Sequence, residues 1–161
     1  HGILCHDFWS AYNDLDVIHV VCHAHLQREL TKVFEDFGQN WGKKLAKLFI
    51  EANLERLANE GGLEWERIEF YRKRINSLIK EGEKLNPIKT KRKNIRGKVA
   101  QNFPRKLIYR LKKYRDWVSL YMYDPTIPFT NNQSERDQRM LKVNHKVSGC
   151  VRSFEGAEIF A

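Results

Sequence analysis

The sequence is short of cysteine and proline and has no long apolar run. Its three cysteines, Cys5, Cys22 and Cys150, are few and odd in number. That composition argues against a disulfide scaffold and suits a reducing compartment. No apolar stretch reaches the roughly 20 residues that a membrane helix needs, and no secretory leader is visible. The expectation is a cytoplasmic protein with no membrane partner. Acid is missing from one stretch. Residues 84–115 hold thirteen Lys or Arg and not one Asp or Glu. The whole chain has 29 basic and 20 acidic residues, a net charge of +9. Outside that stretch, sixteen basic residues face all twenty acids, so the basic character is local.

What is present is enough for one domain with a real core, 161 residues of which 42% are hydrophobic. Residues 2–6 and 16–22 read as short strands, the second apolar on both faces as in a buried parallel sheet. A helical turn or two over residues 8–12 would connect them as a compact βαβ unit. Helices are expected over 23–37, 41–59, 63–85 and 104–123, each with apolar residues at helical spacing. Gly61 and Gly62 would stop the second, and Pro104 suits the start of the last. The chain begins at His1, without Met, in a strand-like run, and ends at Ala161 in a helix-like one. It is expected to be a piece of a larger protein.

Four places carry chemistry. Asp7 follows the first strand, and ligands of such sheets bind beyond the carboxyl ends of strands. It could equally cap the turn after it. Pro125 and Pro128 then hold the chain extended ahead of Phe129-Thr130-Asn131-Asn132-Gln133-Ser134-Glu135-Arg136. Thr130 and Gln133 have capping-box spacing, which puts Asn131 and Asn132 in the first turn of a helix and Glu135 about one turn in. A carboxylate placed so can hold a divalent cation, or it can complement the helix dipole and pair with Arg139. Cys22 and His25 have the spacing of half a zinc site, which Cys150 or His145 could extend. The alternative is a core cysteine with a hydrogen-bonded histidine beside it. Lys89, Lys91, Arg92, Lys93, Arg96 and Lys98, with no acid among them, suit phosphate contacts better than a mixed charged surface.

Four segments together resemble the bacterial transposases of insertion sequence sixty-six type. Leu4-Cys5-His6-Asp7-Phe8-Trp9-Ser10-Ala11-Tyr12 looks like that family's second-aspartate strand. Cys22-His23-Ala24-His25-Leu26-Gln27-Arg28-Glu29-Leu30 is similar to its Cys-x-x-His-Leu-x-Arg segment, and residues 129–136 resemble its glutamate motif. Lys146-Val147-Ser148-Gly149-Cys150-Val151-Arg152-Ser153, with Gly156-Ala157, looks like the segment after it.

The resemblance implies a helix-rich α/β chain. Residues 1–22 and 126–161 would be a partial ribonuclease H-like core. Residues 23–125 would be a large all-helical insertion carrying the basic DNA-binding segment 84–115. It implies a metal site of Asp7 and Glu135 for Mg²⁺ or Mn²⁺, two ions in the full-length protein, with DNA strand cleavage and transfer as the reaction. Asn131 and Asn132 would support the ligands, and Arg136 and Arg139 would join the basic residues on DNA. Transposon ends and target DNA would be the partners, with self-association in the active complex and a location at the bacterial nucleoid. The family's first aspartate lies upstream of anything here, and no acidic residue precedes Asp7. The chain alone is therefore expected to be inactive. The other readings are a non-catalytic nucleic-acid-binding module from a truncated copy, and an interaction module with an open sheet edge.

Overall fold

The computed structural model describes residues 2–59, 62–90 and 99–132, with Arg136, Asp137, Arg139, Met140 and Val143. Among these, the chain is helix-rich α/β, five helices beside one small sheet. β1 (Ile3–His6) and β2 (Ile18–Val21) pair in parallel, from Ile3 opposite Ile18 to His6 opposite Val21. The link over residues 7–17 is too short for a full α-helix. It folds as one 3₁₀ turn, Ser10–Tyr12. Both strands are exposed at their first residues and buried at their last, so the sheet's carboxyl end faces the core.

α1 (His23–Phe37) starts directly after β2, because Cys22 keeps extended dihedrals as its N-cap residue. It stops at Gly38, whose φ of 64° is the left-handed conformation that glycine adopts without strain. α2 (Asn40–Ala58) follows at once. Gly42 lets the two helices approach closely, since a Cβ there would sit 2.6 Å from the Leu30 carbonyl oxygen. α3 (Trp65–Leu85) packs on α2. There Gly82 makes room for Trp41, whose ring would lie 2.8 Å from an added Cβ.

The last helix departs from its sequence pattern. Leu107, Leu111, Val118 and Met122 keep helical spacing, yet the helix breaks at Tyr114, with φ −110° and ψ 30°. α4 (Phe103–Lys113) and α5 (Arg115–Ser119) lie on either side, and a 3₁₀ turn, Leu120–Met122, follows. The break lets the Tyr114 and Trp117 rings stack, centroids 4.4 Å apart, with Trp117 stacked in turn on His19 of β2 at 4.3 Å. Aromatic packing against the sheet thus overrides helical continuity.

One hydrophobic cluster joins all the layers. Cys5, Val20 and Val21 of the sheet lie in the same core as Leu26 and Leu30 of α1, Trp41 and Phe49 of α2, and Leu107 and Leu111 of α4. Each fully buried aliphatic side chain there contributes about 1.5–3 kcal/mol. The helices from α1 onward and the sheet therefore share their stabilisation.

Candidate functional site

Asp7 is the first residue beyond β1 and is exposed. The Trp9 backbone N–H donates to its Oδ1 at 3.3 Å. Between them Phe8 has a φ of 65°, the only left-handed non-glycine residue among those described. Such a conformation costs about 1–3 kcal/mol and persists where the surroundings impose it. Here the Phe8 ring is held between Tyr114, 5.8 Å away by centroid, and the Arg110 guanidinium, 5.0 Å above it. The strained residue sets the direction in which the chain leaves the strand, and so the position of the carboxylate.

Under Asp7 lies a histidine pair that the motifs do not bring forward. His19 Nε2–H donates to the Leu15 carbonyl at 3.1 Å, which makes its Nδ1 an acceptor for His6 Nε2–H, also at 3.1 Å. Burial, and then the neighbouring His19, hold His6 below the usual histidine range, with Asp7 opposing. Tyr12, Trp117 and His19 pack their rings edge-on to His6 at 5.2–5.7 Å. The only sequence signal for this pair is one histidine in each of two otherwise apolar strands, and the register sets them two steps apart, His19 opposite Leu4 and His6 opposite Val21.

The second half of the candidate site is brought to the first by Cys22 and His23. The Cys22 N–H donates to the His6 carbonyl at 2.8 Å, one step beyond the last sheet pair. Cys22 Sγ accepts from the Asn131 backbone N–H at 3.2 Å. His23 N–H donates to the Phe129 carbonyl at 3.0 Å, and the two rings stack at 4.3 Å. Asp7, His6, Cys22 and Asn131 therefore form one connected path. The Cys22 thiol is held down to about 4, first by a hydrogen bond from Cys5, then by the Asn131 N–H and His25, against the opposing effect of burial.

Further back, Arg56 of α2 anchors the same stretch from inside. It is buried, and its Nη1 donates to the carbonyls of Ile127 (2.8 Å) and Pro125 (3.3 Å). The Thr126 N–H and hydroxyl donate to Asp124 at 2.8 and 2.6 Å, holding that carboxyl below its usual range. Residues 124–131 are thus tied down at both ends. Helical residues resume at Asn132, one position later than an N-cap at Thr130 would give.

The remaining candidates divide by position. Asn131 is half-buried against Cys22, and Asn132, Arg136 and Arg139 are exposed. Lys89 is described, while Lys91, Arg92, Lys93, Arg96, Lys98 and Glu135 lie outside the described residues, as do His145 and Cys150. For a hard divalent cation Asp7 has the right chemistry, an exposed carboxylate with one oxygen fixed by a backbone N–H. Among the described residues no three His, Cys, Asp or Glu side chains group as a metal cluster. Cys22 accepts the Asn131 bond, and the two further ligands named for a zinc site, Cys150 and His145, lie outside the described residues.

The sequence model of the Transposase IS66 family matches residues 1–159 of this chain. The chain belongs to that family, and so to the transposases, the enzymes of DNA transposition. No curated protein and no solved structure matches it. Among the described residues no helix is long and apolar enough to cross a membrane.

Proposed function

We propose that this chain is part of the catalytic domain of a metal-dependent DNA transposase, with Asp7 and Glu135 as two of its metal-binding carboxylates. The observation that carries the reading is the tie between the Asp7 strand end and the stretch before Glu135, made through Cys22 and His23. In this reading residues 1–22 and 126–161 belong to a ribonuclease H-like core, and residues 23–125 form an insertion.

Asp7 and Glu135 would hold Mg²⁺ or Mn²⁺, which when bound stabilises the charge that builds on a phosphate during in-line displacement. Trp9 N–H and the strained Phe8 fix the Asp7 carboxylate in one orientation. Asn131, pinned on Cys22, fixes where the following helix starts, and Asn132 orients groups beside the ligands. Lys89, Lys91, Arg92, Lys93, Arg96 and Lys98 bind the DNA backbone, joined by Arg136 and Arg139 near the site. Nucleoid DNA, at transposon ends and targets, is the substrate, and copies of the protein associate on it.

Two of the three family carboxylates are in this sequence, so the chain by itself leaves DNA uncut. The test has two parts. Duplex binding should weaken steeply with salt, and charge reversal at Lys91, Arg92 and Lys93 should lower the salt slope by about one for each phosphate no longer neutralised. Supercoiled plasmid in Mn²⁺ should remain intact. Salt-independent or absent duplex binding contradicts the DNA role. Nicking that Asp7→Ala abolishes contradicts the incomplete carboxylate set.

A further inference from the structure

A groove beside α4 shares Arg110 with the contact on Phe8. It has a volume of about 570 Å³ and opens along α4. Its apolar lining is Ile88, Phe103 and Tyr109, and its cations are Arg105, Lys106 and Arg110. Ile88 and Tyr109 are 60% and 62% exposed, so together they give the groove an open apolar wall. The Phe103 ring is backed by Phe37, stacked at 6.1 Å, so it forms a firm floor.

The charge around the groove is unbalanced. α4 carries five cations, Arg105, Lys106, Arg110, Lys112 and Lys113, and no acid. Two carboxylates meet them: Glu29 binds Arg110 at 2.6 Å, and Glu83 is shared by Lys112 at 2.9 Å and Arg105 at 3.5 Å. Lys106 is exposed and has no ion pair among the described residues. An apolar floor with a cationic rim fits an aromatic anion, and a nucleotide is both.

Two further connections link the groove to the candidate DNA-binding and metal-binding residues. The Gln101 side chain pairs with the backbone of Lys89 in both directions, accepting from its N–H at 2.9 Å and donating to its carbonyl at 3.0 Å. The described residues on either side of the basic stretch 91–98 therefore meet at the rim of the groove. On the other side, Arg110 lies over Phe8, the residue after Asp7. Through Gln101 the groove is joined to the flanks of the basic segment, and through Arg110 to Phe8, the neighbour of Asp7.

We infer that this groove binds an unpaired nucleotide of a DNA strand, its base stacked on Tyr109 over the Ile88 and Phe103 floor and its phosphate on Lys106. A base inside a duplex cannot enter, because both of its faces are already stacked there. The inference rests on the DNA reading above and adds a preference for strand ends or opened junctions close to Asp7.

The test uses the 161-residue chain with a single-stranded deoxythymidine oligonucleotide and, separately, a short duplex, each followed by fluorescence anisotropy. Loss of one base stack is expected to weaken single-strand binding of Tyr109→Ala about tenfold, from the 1–3 kcal/mol typical of such contacts. Tyr109→Phe should restore it, and duplex binding should stay within about twofold for both variants, since a duplex offers no free base to stack. Wild-type single-strand affinity in Tyr109→Ala, with duplex binding intact, overturns the groove and leaves the DNA reading standing. A Phe variant as weak as the Ala variant also overturns it, since stacking needs only the ring. Failure of the wild-type chain to bind either DNA overturns both. Tyr109 is exposed, so unchanged far-ultraviolet circular dichroism is expected throughout.

Discussion

His23 shows what one residue does to this fold. It is fully buried, its Nε2–H bonded to the Val118 carbonyl at 2.9 Å and its ring stacked on Phe129. Burial pushes it down to about 4, with the Val118 bond opposing. An unfolded histidine titrates near 6.5, so on acidification the unfolded chain takes up a proton first. The stability tied to neutral His23 is therefore complete above about pH 6.5 and is lost as the pH falls toward 4. Between pH 7 and pH 4.5 this loss is about 2–3 kcal/mol. The urea midpoint should fall over that range, and His23→Gln, which keeps a donor but takes no proton, should fall less. Cys22 makes a second residue-scale case. Cys22→Ala removes the acceptor for the Asn131 N–H and should cost about 1 kcal/mol. The Asn131 amide should then exchange faster with solvent, while amides in α2 keep their protection.

At the scale of elements, the close approach of α1 and α2 depends on Gly42. An alanine methyl would meet the Leu30 carbonyl, a backbone atom that cannot rotate away. Gly42→Ala should destabilise by about 1–3 kcal/mol in denaturant unfolding. Arg56 couples α2 to the segment before the candidate site. Arg56→Met should cost about 2–3 kcal/mol, and residues 125–131 should lose amide protection first. Much of this arrangement is legible in the sequence. The helices expected at 23–37, 41–59 and 63–85 form within two residues of those bounds, because their apolar positions follow the helical period. Asp7 at a strand end follows from an apolar run closed by an acid. The break at Tyr114 is not legible, since apolar spacing continues across it and its cause is ring stacking that runs through Trp117 to His19, about a hundred positions away. The His6–His19 pair and the Arg56 anchor are hidden for the same reason. They are polar groups whose partners come only with tertiary structure.

For the molecule as a whole, strand ends, α1 and the stretch before Glu135 converge because the sheet and helices share one core. The motifs announce the two halves of the candidate site separately, and the Cys22 and His23 bonds show how the described parts meet. The central claim is that Asp7 and Glu135 serve one divalent-metal site. Mn²⁺ titration calorimetry on the chain, beside a double variant with Asp7→Asn and Glu135→Gln, tests it most directly. Saturable Mn²⁺ binding by the wild type, absent from the double variant, is the result expected. Equal Mn²⁺ binding by both proteins, or none by either, would contradict it.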